Sequence, residues 1–188
     1  MIKIGITGSL ASGKTTVAKI LTGRKHPLFD ADNQVRGLYK KSHFKKKIYK
    51  KFKLNNKKNI KNEIKKIISK DKKNLKKIEK IIHPYVRMQM RNFIKKNNNK
   101  KILIFEIPLL IESKLMKYFN VIIFVNSKKK LRLKRYLKKG KSIKMFNLLD
   151  KRQLMPVKKI KFSDHVISNN STLKNLKKNV IFIKKNYE

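Results

Sequence analysis

Residues 5–20 read GITGSLASGKTTVAKI. The chain has 6 glycines in 188 residues, and three of them fall between Gly5 and Gly13. Gly8-Ser9-Leu10-Ala11-Ser12-Gly13-Lys14-Thr15 fits G-x-x-x-x-G-K-[ST], the spacing of a phosphate-binding loop. Backbone amides must point inward to hold a polyphosphate, and side chains would block that approach, so glycine stands at the tight positions. A helix begun at Gly13 and Lys14 turns its positive end toward the same anion. Lys14 can reach the outer phosphates, the Thr15 hydroxyl can ligand Mg²⁺, and Thr16 is a further phosphate contact. The context agrees: IKIGI (2–6) reads as a buried strand and TTVAKIL as a helix. Gly5, inside the strand, reads as a packing position.

Working outward, the length suits one α/β domain with a small insertion. The absence of cysteine excludes disulfides and thiolate metal sites and fits a reducing cytosol. The start, MIKIGITGS, lacks the length of a signal peptide, and no run reaches the ~18 apolar residues of a membrane span. A soluble, cytoplasmic protein is expected, without a membrane partner. The net charge of +43 would by itself suggest a nucleic-acid binder. Yet only 7 of the 53 basic residues are arginine, the residue whose planar fork suits phosphates and base edges. The lysines come with many Asn and Ile, which points to compositional drift and a solvated cationic surface. No specific nucleic-acid partner is expected.

Further along, HPLFDAD (26–32) reads as a second strand ending in acids. From 33 to about 100 the pattern is helical, with apolar residues at Ile60, Ile64, Ile67, Ile68, Leu75, Ile78, Ile81 and Ile82. Residues 40–101 hold 23 lysines and 3 acids, but the periodic isoleucines argue against disorder. ILIFE (102–106) and VIIFV (121–125) are strands without alternation, as when both faces are covered. Residues 128–154 read as helix, a break at Gly140, then helix. DHVISN (164–169) is a short strand, followed by a closing helix with Ser171 or Thr172 near its N-cap. Strands alternating with helices imply a parallel sheet.

A phosphate loop does not name the phosphate acceptor. The GTPase pattern N-K-x-D is absent, and helicase-type ATPases are far larger. The chain has ten acids, and Asp30, Asp32, Glu106 and Glu112 sit at or just past strand ends. In open parallel sheets the ligand lies outside those ends, where phosphoryl transfer needs carboxylates for hydrated Mg²⁺ and for the acceptor's proton. Asp30 and Asp32, two apart, share one face if the chain is extended. Read alone, His83-Pro84 is helix-end punctuation with a structural histidine. Arg87 and Arg91 read as a solvated face, and Arg132 as a surface residue.

Together these residues resemble the dephospho-coenzyme A kinase family over nearly the whole chain. GITGSLASGKTTVA looks like its opening, and FDADNQVR like its D-A-D-x-x-A-R motif, keeping Asp30, Asp32 and Arg36. IIHPYV resembles its H-P signature. FEIPLLIES resembles its D-x-P-L-L-F-E segment, with Glu106 for the aspartate. RQL followed by SDHVISNN resembles its ending. The resemblance implies a three-layer α/β P-loop NTPase fold with about five parallel strands. Its nucleotide-binding core would be 1–35 and 101–188, with a lid at about 128–154 and a helical acceptor-binding insertion at 36–100.

It implies transfer of a phosphoryl group from ATP, with Mg²⁺, to the ribose 3′-hydroxyl of dephospho-coenzyme A, by a monomer. Catalysis would rest on Asp32 as general base, with Lys14 and Arg135, the lid arginine that neutralises transferring charge. Gly8 to Thr16 and Asn169, at the adenine edge, would hold the nucleotide, and Thr15 the metal. Asp30, Arg36, His83, Pro84 and Glu106 would hold the acceptor side, Glu106 also being placed for metal-bound water. Arg152 and Gln153 are candidates to approach ATP. The family's second lid arginine and the aspartate after it are replaced by Lys139-Gly140, and lysine lacks the bidentate fork. The alternatives are another small-molecule or nucleoside monophosphate kinase and a basic nucleic-acid-binding protein.

Overall fold

The computed structural model describes residues 1–23, 25–54, 59–71 and 73–188. β1 (Ile2–Gly8) leads through the loop at 9–13 into α1 (Lys14–Thr22). After β2 (Leu28–Asp30) come α2 (Ala31–Leu38), α3 (Ser42–Phe52), α4 (Ile60–Lys70) and α5 (Lys73–Lys96). β3 (Ile102–Glu106), a 3-10 turn at Met116–Tyr118 and β4 (Val121–Asn126) follow. Then come α6 (Lys129–Leu137), α7 (Ile143–Asp150), α8 (Pro156–Ile160), β5 (His165–Ser168) and α9 (Leu173–Lys185). The chain forms two compact units, Met1–Asp30 with Asn97–Glu188, and Ala31–Lys96.

In the first unit the strands form one five-stranded sheet in the order β2-β3-β1-β4-β5. Every pairing is parallel. Both faces are covered, which is why the strands carry continuous apolar runs. One face presents Ile4, Ile6, Ile102, Ile104, Val121, Ile123 and Val125 to Val17 and Leu21 of α1 and to Leu176, Val180 and Ile183 of α9. The alternate residues point the other way. There Phe105 meets Phe29 and Phe119, with ring centroids 5.7 and 5.2 Å apart. A side chain at Gly5 would come within 2.6 Å of Leu110 and 3.0 Å of Phe119, so this glycine is a packing position. The chain leaves β1 toward one edge and later crosses back to lay β4 on its other flank. The crevice outside the carboxyl ends of these central strands is where such sheets hold ligands.

The second unit has its own core of Leu38, Phe44, Ile48, Ile60, Ile64, Ile67, Ile78 and Ile81. The isoleucine periodicity is thus a set of helix faces turned inward, while the described lysines between them are mostly exposed.

Four local expectations change. The strand expected to run to Asp32 ends at Asp30, and α2 begins at Ala31. Asp32 therefore lies in the first turn of a helix, where its charge suits the helix dipole, and does not share an extended face with Asp30. Pro84 does not end a helix; it lies inside α5. The hydrogen bond it removes is offset by burial on both sides of it, at Ile78, Ile81 and Met90. No helix begins near Glu112. Residues 108–114 form successive turns, with Lys114 left-handed at φ 54° and Leu110, Ile111 and Leu115 buried. Finally, α8 has no counterpart in the expectations; the chain starts it with Pro156 in its first turn.

Candidate active site

The loop between β1 and α1 is shaped by two left-handed residues, Ala11 at φ 58° and Gly13 at φ 102°. The second favours glycine outright, and a Cβ at Gly13 would collide with the Asn169 amide. At Gly8 the constraint is a close approach, since a Cβ would lie 2.5 Å from the Val125 carbonyl and 2.7 Å from Ser12 Oγ. Ser12 N–H donates to the Ser9 carbonyl, and the Thr16 and Val17 N–H groups to that of Gly13. Among the described residues, the Ala11 and Gly13 amides take no protein partner. The first turn of α1 carries no acid to compete for an anion. Successive left-handed turns of this kind gather amides into a concavity of positive partial charge.

Lys14 is buried, and its ammonium donates to the Ser9 carbonyl at 3.0 Å and the Gly8 carbonyl at 3.3 Å. Thr15 Oγ1 donates to Glu106 Oε1 at 2.7 Å. Parallel pairing of β1 with β3 aligns Ile6 with Glu106, and so brings the end of β3 level with the loop. Asp30 pairs in register with Glu106 across β2 and β3, so both acids end adjacent strands. These residues fit a nucleoside triphosphate with Mg²⁺. Ser12 Oγ is buried without a hydrogen-bond partner. Thr15 and Glu106 offer the hard oxygens that a hydrated Mg²⁺ accepts. No cluster of three His, Asp or Glu occurs among the described residues.

A second ring of side chains supports the loop. Arg135 Nη2 donates to the Asn169 carbonyl at 2.9 Å, and Nη1 to Ser127 Oγ at 3.0 Å and the Ser12 carbonyl at 3.5 Å. Asn169 Nδ2 donates to the Ser12 carbonyl at 2.8 Å. Arg135 and Asn169 thus meet on the same loop carbonyl. Gln153 Oε1 accepts from Leu10 N–H at 2.9 Å. Arg132 is not the surface residue expected. It is 5% exposed and paired to Asp150 at 2.5 Å, and it donates to the carbonyls of Ser127 at 3.0 Å and Leu10 at 3.2 Å. Beyond it, fully buried Lys159 pairs with Glu112 at 2.7 Å, and Glu112 Oε1 accepts from Leu154 N–H at 3.0 Å. Burial pushes the Lys159 ammonium pKa down, against the pull of Glu112.

Sequence reasoning missed the Arg132–Asp150 and Lys159–Glu112 pairs. Their partners lie 18 and 47 residues apart, beyond any helical period. A signal was nonetheless present: with ten acids against 53 bases, each acid is a candidate partner for a base that must be buried.

In the second unit, Asp32 and Arg36 lie four apart on α2, both exposed. Tyr39 has its pKa raised by burial and then by the charge of Asp32. His83, half-buried on α5, has its pKa lowered by burial, with Arg87 adding to the effect and Glu79 opposing it. Pro84 beside it is exposed.

A parallel sheet whose central strand opens into this loop, with a lysine and a threonine at the helix start and a carboxylate on the next strand, defines the class of α/β phosphate-loop NTPase folds, to which several kinase families belong. A sequence profile of one such family, dephospho-CoA kinase, matches residues 2–175. The chain belongs to the dephospho-CoA kinase family, and it is an enzyme, a phosphotransferase. The dephospho-CoA kinase of Fusobacterium nucleatum is 34% identical over 182 residues, covering 94% of each chain. Among solved structures, a Thermus thermophilus protein aligns with a TM-score of 0.84 at 23% identity, over 100% of this chain and 98% of its own. Dephospho-CoA kinase from Campylobacter jejuni aligns with a TM-score of 0.70 at 22% identity, over 97% and 95%. At these identities the two structures speak to the fold.

Proposed function

We infer that this chain transfers the terminal phosphoryl group of ATP to dephospho-CoA, in coenzyme A synthesis, and that the acceptor atom is the ribose 3′-hydroxyl oxygen. The observation that carries this reading is the convergence of Lys14, Thr15 and Glu106 at the carboxyl ends of β1 and β3, in a chain of this family. The loop residues Gly8 to Thr16 bind the triphosphate through inward amides, and the Lys14 ammonium balances its charge. Mg²⁺, when bound, neutralises charge on the outer phosphates; Thr15 is its ligand, and Glu106 holds water around it. Asp32 accepts the hydroxyl proton on a carboxylate oxygen late in a loose transition state. Asp30 and Glu106 of the first unit, and Arg36, His83 and Pro84 of the second, are the proposed contacts of the acceptor. Burial lowers the His83 pKa and so favours the neutral imidazole, which can accept a hydrogen bond from the acceptor.

Arg135 neutralises the transferring group, and Asn169 serves the adenine edge. Residues 128–154 act as the lid, and residues 36–100 as the acceptor-binding insertion, most of which lies in the Ala31–Lys96 unit. A monomer in the cytoplasm belongs to the same proposal; the cysteine-free composition fits the reducing compartment and does not bear on oligomeric state.

The test compares turnover of dephospho-CoA, AMP and shikimate with ATP, using the native chain and Asp32→Asn. Turnover of dephospho-CoA alone is expected. The substitution should cut kcat at least about tenfold, the lower end of what a lost general base costs, while ATP affinity is retained. Equal kcat in the two proteins would remove Asp32 from the mechanism. Oligonucleotide binding at physiological salt without kinase turnover would overturn the functional reading itself.

A further inference from the structure

Leu10 stands at the crest of the phosphate loop, and both of its backbone polar groups are held by side chains from far along the chain. Its N–H donates to Gln153 Oε1 at 2.9 Å. Its carbonyl accepts from Arg132 Nη1 at 3.2 Å. The guanidinium is itself fixed from other sides. Asp150 pairs with it at 2.5 Å, the Ser127 carbonyl accepts from Nε at 3.0 Å, and the buried ring of Phe146 lies 5.6 Å beneath it. Gln153 is anchored through its neighbour, since Leu154 N–H donates to Glu112, which the buried Lys159 holds. Two successive peptide planes, Ser9–Leu10 and Leu10–Ala11, are therefore set by side chains following β4.

A trans peptide is planar, and its C=O and N–H point in opposite directions. Drawing the Leu10 carbonyl toward Arg132 turns the Ala11 N–H to the opposite side of the same plane. Ala11 is also the non-glycine residue of the loop at positive φ, a conformation that persists only when its surroundings enforce it. Its amide has no protein partner among the described residues.

We propose that Arg132 and Gln153 are positioning residues: they clamp the Leu10 peptide groups so that the Ala11 amide is presented to the nucleotide's phosphates before ATP arrives. The inference rests on the reading of this loop as the ATP site. Neither residue touches the reacting atoms. Asp150 aims the guanidinium, and the clamp ties residues near the two ends of the lid segment to the loop crest.

The test uses the full chain and two variants, Gln153→Leu and the double variant Arg132→Met with Asp150→Asn, which leaves no buried charge alone. ATP binding is measured by titration calorimetry without acceptor, kcat and both KM values by coupled assay, and folding by circular dichroism. Each lost bond to a preorganised site is worth about tenfold in affinity. ATP should bind about tenfold more weakly to each variant and its KM should rise in step, with kcat and the KM for dephospho-CoA within threefold. In ¹⁵N-labelled protein, the shift of the Ala11 amide proton on adding ATP should shrink in both variants. A purely architectural role would leave that signal, and the contrast between the two KM values, unmoved.

ATP affinity within twofold of native in folded variants overturns the proposal. If the double variant does not fold, Gln153→Leu decides by itself. Native protein that binds ATP but does not phosphorylate dephospho-CoA defeats the functional reading and leaves the clamp to be judged on affinity. Native protein that binds no ATP defeats both.

Discussion

Gly13 takes φ 102°, and any side chain there would meet the Asn169 amide. Gly13→Ala should lose ~1–3 kcal/mol of stability, from backbone strain and displacement of Asn169 together, read from urea unfolding. ATP affinity should fall with it, because Asn169 and Arg135 share the Ser12 carbonyl that this glycine follows. The glycine's importance was legible from spacing alone, since a tight phosphate loop has no alternative at that position. Arg132 was not legible. A basic residue in a helix among lysines reads as solvated, and nothing local announces that Asp150 and two carbonyls surround it. Asp32 shows a third case. Its presence past β2 was evident, but its placement in a helical turn was not, because three residues of strand and eight of helix meet without a glycine or proline between them.

At the scale of elements, strands were the most legible feature. β3 and β4 carry apolar runs of four and five residues, each closed by one polar residue, and the sheet buries those runs on both faces. Two elements departed from local rules because packing outweighed them. α5 runs through Pro84, and residues 108–114 turn tightly to bury Leu110 and Ile111. α8 is held to the rest of its unit by the ion pair of Lys159 with Glu112. Glu112→Gln should destabilise the protein by ~3 kcal/mol in urea titration, since it leaves a buried ammonium with weaker compensation. Glu112→Gln with Lys159→Met should recover most of that loss, because the second substitution removes the buried ammonium while an amide oxygen at 112 can still accept from Leu154 N–H. A double variant no more stable than the single one would mean that Lys159 contributes nothing through its charge.

Over the whole molecule the net charge of +43 is a standing repulsion, concentrated in residues 40–101 with their 23 lysines and 3 acids. Raising NaCl from about 20 to about 300 mM shortens the screening length from roughly 20 Å to under 10 Å. The melting temperature should therefore rise by several degrees, about 1 kcal/mol in this size class, in a scanning calorimeter. A flat response would show that counter-charges already balance the lysines. The core of the Ala31–Lys96 unit holds against that repulsion because its isoleucines face inward at helical spacing while the described lysines are mostly exposed. The sequence by itself determined the phosphate loop, the parallel sheet and the inward faces of the helices, because backbone sterics and side-chain periodicity act between near neighbours. Only the tertiary structure decided which cations are buried and what grips the loop crest. Those contacts join residues 18 to 143 positions apart, and their energies depend on distance and burial, which exist only once the chain has folded.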